Sequence, residues 1–308
     1  MYKSGWITSN SVPTAVRTWG NWIEDKNEND SILLFIPGNP GITDFYKKFL
    51  LTLHKLMNIP VWVLCHAGNQ VPPAKENLVL PSIKSNPDFY NFKGQVKHKK
   101  DFISTYIPEY KNIYLIGHSV GAKVCVELMK DPNFANRVKQ VHLVTPTLQH
   151  IANTPNGAFF RVFLRRIAPL LISLAWIFTF LPFKIRAFLL YAFVIIYSAS
   201  LKIESCCVSG LLKLFTPQVL KYVFFLASDE MVEIKELDKD VYEQNCDKMY
   251  AYYLPNDRWA PLYQYENLRK THPNVECKML EASIAHSFVF NSSEKIATLL
   301  AEEIKRNM

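Results

Sequence analysis

Short apolar runs alternate with amphipathic stretches along most of the chain. An apolar run bounded by Gly, Pro, Asn or Asp is typical of a buried strand, whereas apolar residues three and four positions apart are typical of a helix that covers a core. The strands predicted on this basis are residues 31–36, 61–64, 112–116, 140–144, 249–254 and 275–280. The predicted helices are residues 45–57, 95–106, 122–130 and 294–305. This alternation predicts an α/β fold with a mostly parallel sheet flanked by helices.

A GxSxG motif, Gly-His-Ser-Val-Gly, occupies residues 117–121 between a predicted strand and a predicted helix. A nucleophile elbow is a sharp turn of this kind, and Gly117 and Gly121 would flank its serine because a side chain at either position would collide with neighbouring backbone. The turn would expose the hydroxyl of Ser119 at the start of a helix. A chance GxSxG in a loop is the alternative, but the strand before the motif and the helix after it favour the elbow.

The predicted nucleophile needs backbone N–H donors for an oxyanion. One comes from the residue after the nucleophile, here Val120, and the other from a loop after an earlier strand. The strand 31–36 ends at the sequence Pro-Gly-Asn-Pro-Gly, residues 37–41. Pro40 has no amide hydrogen, so Asn39 is the predicted second donor. The same residues are typical of a tight turn, and a rigid turn is also what a preorganised donor requires.

The acid and the base are predicted from chain order, which in α/β-hydrolases runs nucleophile, acid, histidine. Of the eight histidines, His286 alone follows a late predicted strand and precedes the terminal helix, so it is the predicted general base. Asp257 lies in the loop after the strand 249–254 and is the predicted acid that orients the imidazole. His118 is expected to pack or bond locally, and His66 to line a pocket mouth. Alternatives for the acid precede Asp257 in the same region, at Asp229, Asp238, Asp240 and Asp247.

Motifs spread over nearly the whole chain resemble the lipid droplet-associated hydrolase family. They are residues 36–41, 65–68, 94–98, 115–119, 256–261 and 283–288. The resemblance implies an α/β-hydrolase fold with Ser119 as nucleophile, Asp257 as acid and His286 as base. Arg258 departs from the family pattern, in which Pro commonly follows the Asp. The family is regarded as serine hydrolases of lipid droplets whose natural ester is unsettled, which implies a location at the droplet surface and endoplasmic reticulum, facing the cytosol.

Composition restricts the remaining possibilities. With 308 residues, 49% of them hydrophobic, the chain is long enough for one α/β domain with an insertion. The net charge of +8 comes without a nucleic-acid-binding signature, so no nucleic-acid partner is expected. Six cysteines lack scaffold spacing and the first residues lack a secretory apolar core, which favours a reduced, cytosol-exposed location. No HExxH or paired CxxC motif occurs, so no metal is expected, and the triad chemistry requires no cofactor.

Residues 132–203 contain no Asp or Glu and include two strongly apolar runs, 167–183 and 187–201. Each run is shorter than the roughly 20 residues with which a helix crosses a bilayer, and Pro169 and Pro182 interrupt the first one. Residues 151–240 are therefore predicted to form a hydrophobic helical cap and lipid-association insertion between the two parts of the hydrolase core, 1–150 and 241–308. The residues expected to meet lipid are Trp176, Phe178, Phe180, Arg165, Arg166, Lys184 and Arg186.

Three arrangements of this insertion remain open. It can be a cap whose apolar residues form core and acyl pocket, a monotopic anchor in a phospholipid monolayer with Arg and Lys at the head groups, or a transmembrane pair. A combination of cap and membrane surface is favoured over any one alone. Cys206 and Cys207 follow the apolar runs and are candidate acyl acceptors, although buried thiols are the simpler interpretation.

These features predict a serine esterase that cleaves a hydrophobic ester at a lipid surface, with sterol esters and acylglycerols as candidate substrate classes. The alternative is a lipid droplet structural or tethering protein that keeps the hydrolase fold and has little turnover. An intact triad shows capability rather than flux, because a cap can occlude it. Reaction of Ser119 with a fluorophosphonate probe distinguishes the two functions. The sequence does not determine the oligomeric state.

Overall fold

Eight strands form one mixed sheet in the computed structural model, which describes residues 1–25, 29–198 and 205–308. The strands are β1 (Tyr2–Ser9), β2 (Val12–Trp19), β3 (Ser31–Ile36), β4 (Val61–Leu64), β5 (Asn112–His118), β6 (Val138–Val144), β7 (Met249–Tyr253) and β8 (Glu276–Met279). Their order in the sheet is β1-β2-β4-β3-β5-β6-β7-β8. The pairs β1–β2 and β2–β4 are antiparallel, and all the other neighbours are parallel. The predicted mostly parallel sheet is therefore confirmed.

The helices follow the strands in the alternating pattern of an α/β fold. They are α1 (Lys47–Met57), α2 (Phe92–Tyr106), α3 (Val120–Leu128), α4 (Pro132–Arg137), α5 (Pro155–Phe159), α6 (Arg165–Thr179), α7 (Phe183–Ser198), α8 (Ser205–Leu214), α9 (Pro217–Glu233), α10 (Lys239–Asn245), α11 (Leu262–Thr271) and α12 (Ser293–Arg306). The strands and helices predicted from the apolar pattern are all present, with ends that differ by a few residues. The apolar pattern did not predict the β1–β2 hairpin.

Side-chain alternation on β3 divides the core into two layers. Leu33 and Phe35 point to the face covered by α1 and α12, whereas Ile32, Leu34 and Ile36 point to the face covered by α2 and α3. All five are buried, and each contributes about 1.5 to 3 kcal/mol by leaving water. Because β3 lies beside β5 in parallel, with Ile36 opposite Gly117, the loops that follow both strands meet at one edge of the sheet.

Helices α5–α9, which we call the cap, occupy the chain between β6 and β7 within the predicted insertion 151–240. A π-helical turn, Phe160–Leu164, joins α5 to α6, so residues Pro155–Thr179 form one continuous helix. Helix α6 packs along α9, and α8 packs on the 3₁₀ turn Thr43–Tyr46 that precedes α1. The cap therefore covers the edge of the sheet at which the predicted site residues emerge.

Candidate active site

The backbone of Ser119 has the strained geometry of a nucleophile elbow. Its φ of 54° and ψ of −123° are unfavourable for a residue with a side chain, and strain of this kind costs about 1 to 3 kcal/mol. A Cβ at Gly117 would lie 2.6 Å from the Cα of Ala122, and one at Gly121 would lie 2.2 Å from the carbonyl oxygen of Ile36. Both neighbours are backbone atoms that cannot move aside, so the elbow requires glycine at the two positions.

Three of the predicted residues form a continuous chain of hydrogen bonds. The imidazole Nε2 of His286 lies 3.0 Å from the Oγ of Ser119, and its Nδ1 lies 2.7 Å from the Oδ2 of Asp257. Because ionised Asp257 can only accept, Nδ1 carries the ring proton and Nε2 is left to accept the hydroxyl proton of Ser119. The structure therefore places the predicted nucleophile, base and acid in the geometry that proton transfer from Ser119 needs.

Asp257 is held in the ionised state by the bonds around it. Burial by itself raises the pKa of this carboxyl, but the bond from His286 and two backbone N–H groups outweigh burial and keep the pKa below its ordinary value. Those N–H groups belong to Trp259, at 2.7 Å, and Ala260, at 3.1 Å, and both donate to Oδ1. Arg258, which departs from the family pattern, leaves this turn intact because its side chain points away and donates to Asn156.

The alternative aspartates are engaged elsewhere or lie on the surface. Asp238 forms ion pairs with Lys123 and Lys130, and Asp229 accepts the backbone N–H of Phe92. Asp240 and Asp247 are exposed. Among the aspartates and glutamates that the structure describes, only Asp257 is hydrogen-bonded to His286. The geometry therefore favours Asp257 over the other candidates.

Two backbone N–H groups are available beside Ser119. Val120 is the first residue of α3, where an N–H has no partner within the helix, and the N–H of Asn39 has no acceptor among the described residues. The neighbouring N–H of Gly38, by contrast, donates to the hydroxyl of Tyr46 at 3.0 Å. Asn39 and Val120, the predicted oxyanion donors, are thus the groups that stay unbonded.

His118 and His66 are both buried, with different consequences. Nδ1 of His118 lies 2.7 Å from the hydroxyl of Tyr46, and Nε2 lies 3.0 Å from the carbonyl oxygen of His286. Burial first, and the nearby His286 second, lower the pKa of His118 to about 3, so it stays neutral and bonds locally as expected. The prediction for His66 is wrong, because His66 is fully buried against Gly41 and lines no pocket mouth.

Two cavities flank His286, the predicted general base. The first, about 340 Å³, reaches Ser119 and Asn39 and lies under the cap, where Phe160, Leu164 and Phe224 line it. The second, about 610 Å³, lies on the Asp257 side and is bordered by α7, α8 and the loop Asn256–Trp259. A cavity of about 810 Å³ between α2 and α4 is larger but contacts none of the three hydrogen-bonded residues, so it has no part in their chemistry.

The residues expected to meet lipid lie mostly on the outer surface of the cap. Trp176 is 58% exposed and Phe180 is 69% exposed, and Arg165, Arg166 and Lys184 are exposed as well. Arg186 is half-buried. Phe178 is also half-buried, and its ring centroid lies 6.2 Å from that of Phe215, the residue after α8, so Phe178 is the least available of the set to meet lipid. Residues 199–202, at the end of the second predicted apolar run and beyond it, lie outside the described residues.

The helix Pro155–Thr179 is, within the described ranges, the single unbroken helix long and apolar enough to cross a membrane. It has 25 residues, a mean hydropathy of 1.6 over its most apolar window, and only 11% of that window buried in the protein. Its first half nevertheless carries the exposed Arg161, Arg165 and Arg166, and it contributes Phe160 and Leu164 to the cavity above Ser119. A helix that both lines this cavity and keeps three arginines in water fits a membrane surface better than a membrane interior.

Cysteine and metal chemistry have no obvious place near this site. None of the six cysteines is in a disulfide, Cys207 is buried and Cys206 is half-buried. Burial of Cys207 favours the simpler interpretation of this thiol over acylation. The described residues also contain no group of three or more His, Cys, Asp and Glu side chains that could hold a metal ion.

Comparison with known proteins agrees with the motifs. A family model described as lipid-droplet associated hydrolase matches residues 29–289. Relatives described as lipid droplet-associated hydrolases include one from Drosophila melanogaster, 34% identical over 310 residues with 99% of each chain covered. Another, from Mus musculus, is 32% identical, with 93% of this chain and 89% of the relative covered. The family resemblance predicted from the sequence is therefore confirmed.

Solved structures with the same architecture are distant in sequence. A haloalkane dehalogenase from Agrobacterium tumefaciens C58 has a TM-score of 0.67 at 14% identity, covering 100% of this chain and 97% of its own. A serine hydrolase from Cycloclasticus zankles has a TM-score of 0.63 at 16% identity, covering 99% and 98%. A thermophilic esterase from Thermogutta terrifontis has a TM-score of 0.61 at 14% identity, covering 99% of each chain. At such identities these matches show the fold, and they confirm the predicted α/β-hydrolase architecture.

Proposed function

Because the chain belongs to the lipid droplet-associated hydrolase family, we propose that it is a serine hydrolase that cleaves a hydrophobic ester through Ser119, His286 and Asp257. The observation that carries this proposal is the hydrogen-bonded chain from the Ser119 hydroxyl through the His286 imidazole to the Asp257 carboxylate. The family's name supports hydrolysis at lipid droplets. The roles of individual residues and the ester substrate are our proposals.

In the proposed reaction, the Oγ of Ser119 attacks the ester carbonyl carbon while Nε2 of His286 takes the hydroxyl proton. The resulting oxyanion accepts hydrogen bonds from the N–H groups of Asn39 and Val120, for which the described residues offer no other acceptor. Collapse of this intermediate breaks the bond to the alcohol, which leaves with the proton from His286. Water then attacks the acyl group on Ser119 by the same sequence and releases the carboxylic acid. Asp257 keeps the ring in the accepting tautomer and stabilises the imidazolium.

The proposed substrate has a large apolar part on each side of the ester bond. This proposal is supported by the two cavities that meet at His286, Trp259 and Phe290 and are lined largely by aromatic and aliphatic side chains. One cavity would hold the acyl chain and the other the alcohol. Sterol esters and acylglycerols both satisfy this requirement.

The second part of the proposal is that the cap docks the enzyme on a phospholipid monolayer. Exposed apolar side chains on the continuous helix Pro155–Thr179 and on the turn after it, such as Trp176, Ile177 and Phe180, would enter the acyl region. Each would contribute about 1.5 to 3 kcal/mol if fully buried there. Arg165, Arg166 and Lys184 would lie at anionic head groups, where each cation contributes about 1 kcal/mol. The location would be the cytosol-facing surface of lipid droplets and endoplasmic reticulum.

A fluorophosphonate probe tests the proposed chemistry directly. The purified wild-type protein should be labelled and should hydrolyse a short soluble ester, whereas Ser119→Ala should lose both properties and keep its thermal stability. Loss of one hydroxyl that lines a cavity removes a single hydrogen bond, to His286, and is expected to cost little stability, so folding serves as the internal control. Esterase activity that survives in Ser119→Ala would reject Ser119 as nucleophile. A wild-type protein that binds droplets but is neither labelled nor active would support the alternative of a structural or tethering protein.

A further inference from the structure

Glu230 is a buried carboxyl group in the wall of the cavity that contains Ser119. It lies on the inner face of α9 and is only 5% exposed. The residues that share its part of the cavity are apolar: Phe160, Leu164, Phe224, Ala227 and Met231. Among the described residues no Lys, Arg or His forms an ion pair with it. An unpaired carboxylate in such surroundings is expensive, so the group is expected to keep its proton.

The hydrogen bonds of Glu230 connect the cap to the loop that carries the proposed oxyanion donor. The side-chain Nδ2 of Asn39 donates to Oε1 of Glu230 at 3.0 Å and to the backbone oxygen of Val223, on the same helix, at 3.1 Å. The other amide atom of Asn39, Oδ1, is buried and has no hydrogen-bond partner in the part of the chain that the structure describes. The position of the Asn39 side chain within the cavity therefore depends on its two bonds to α9.

We infer that Glu230 is a positioning residue whose uncharged carboxyl group holds Asn39, and with it the oxyanion-binding N–H, in place against cap helix α9. This inference rests on the proposed function, because it assigns Glu230 a role in the same hydrolytic reaction. A peptide N–H stabilises an oxyanion effectively when it already points at the position where the negative charge will develop. The Asn39 side chain bonds its loop to α9, so this contact contributes to the direction of the adjoining N–H, together with the bonds that Gly38 and Pro40 make to Tyr46 and Asn69.

The inference has a distinctive pH dependence. Burial raises the pKa of Glu230 to about 8; the bond from Asn39 lowers it and the neighbouring Asp229 raises it. Below this pH the acid is neutral, and above it a carboxylate appears in the cavity where the oxyanion must form. Two negative charges there repel each other, so turnover should fall as the pH rises through about 8. Other titratable or charged groups around α9 and the cavity are Glu233, Lys93, Tyr46, His118 and His286.

The experiment measures kcat and KM for a short soluble ester between pH 6 and pH 9.5 with full-length protein, using Ser119→Ala as the blank. Glu230→Gln is uncharged at every pH and keeps an oxygen that can accept from Asn39, whereas Glu230→Ala removes the bond. Glu233→Gln is the matched control, because Glu233 lies one turn further along α9 and pairs with Lys93 on the outside.

Wild-type and Glu233→Gln proteins should lose activity above about pH 8. Glu230→Gln should stay within about threefold of wild type at pH 7 and show no such fall, because the neutral hydrogen bond is retained. Glu230→Ala should lower kcat about 10- to 100-fold at all pH values with little change in KM, somewhat less than loss of an entire oxyanion donor. An unchanged alkaline fall in Glu230→Gln, or full kcat in folded Glu230→Ala, would overturn this inference alone. Absence of any Ser119-dependent turnover in the wild type would overturn the proposed function and the inference together.

Discussion

Replacement of Asp257 by Asn tests the proposed site more severely than removal of the side chain does. The hydrogen bonds that surround the Asp257 carboxylate determine which atom of the Asn amide faces His286. One carboxylate oxygen of Asp257 accepts two backbone N–H groups, from Trp259 and Ala260. Only the amide oxygen of Asn can take that place. The amide NH₂ group must then face Nδ1 of His286, where the wild-type protein has an acceptor.

The consequence is a change of tautomer in His286. Nδ1 becomes the acceptor of the amide hydrogen, and the ring proton moves to Nε2, the atom that lies 3.0 Å from the Oγ of Ser119. Nε2 can then no longer take the hydroxyl proton. The same change in a serine protease lowers kcat by about 10⁴, equivalent to about 5.4 kcal/mol of transition-state stabilisation. We expect a loss of this size in Asp257→Asn, with little loss of stability since the backbone bonds persist.

The assay compares kcat for a short ester and the rate of fluorophosphonate labelling in wild type, Asp257→Asn and Asp238→Asn, with thermal unfolding as the check on folding. Asp238 is the matched control, since it is a half-buried aspartate in the same stretch of chain that pairs with Lys123 and Lys130 away from His286. A folded Asp257→Asn protein within tenfold of the wild-type rate would refute the reasoning, because the base would then be oriented by another group.

Two further predictions concern the cap and the elbow. Replacing the exposed Trp176, Ile177 and Phe180 by Ser should lower partitioning onto phospholipid-coated droplets in a flotation assay at least about tenfold, while short-ester hydrolysis persists. The control Phe178→Ser should mainly lower thermal stability, because Phe178 packs against Phe215. A triple variant that unfolds and still floats with lipid would mean that these residues are core. Gly121→Ala should destabilise the fold by about 1 to 3 kcal/mol in urea unfolding and slow probe labelling, because the added Cβ meets the backbone oxygens of Ile36 and Pro37. Wild-type stability in that variant would contradict the need for glycine.

The elements that could be predicted from the sequence are those whose burial pattern is local. The central strand β3 is an unbroken apolar run because both of its faces are covered by helices, and its bounds Ser31–Ile36 match the predicted ones. The hairpin β1–β2 was missed for the converse reason. Strand β1 lies at the edge of the sheet, and most of its side chains are exposed or half-buried, so polar residues interrupt its apolar pattern.

The parts of the site that could not be predicted are contacts between residues far apart in the chain. Asn39 and Glu230 meet although they are 191 positions apart, and His118 reaches the backbone of His286 over 168 positions. Neither contact leaves a periodic signal or a motif in the sequence. The available hint was the helical spacing of Glu230, because positions 227, 230 and 231 of α9 fall on one face with the apolar Ala227 and Met231, and a carboxyl there must either turn to solvent or find a neutral partner.

The two proposed roles of the cap are compatible because they use opposite sides of the same helix. On the continuous helix Pro155–Thr179, Phe160 and Leu164 face the cavity at Ser119, whereas Trp176 and Ile177 face outward. Docking the outer side on a monolayer would leave the inner side over Ser119 and the proposed catalytic residues around it. Moving one CH₂ group of an ester chain from lipid into water costs about 0.8 kcal/mol of free energy. A path from lipid to Ser119 that avoids water therefore lowers the free-energy barrier to entry of a long-chain ester by this amount for each CH₂ group kept out of water. The cavity bordered by α7 and α8 is the structural candidate for that path, because its apolar wall includes Phe193 and Leu211 of the cap and reaches His286.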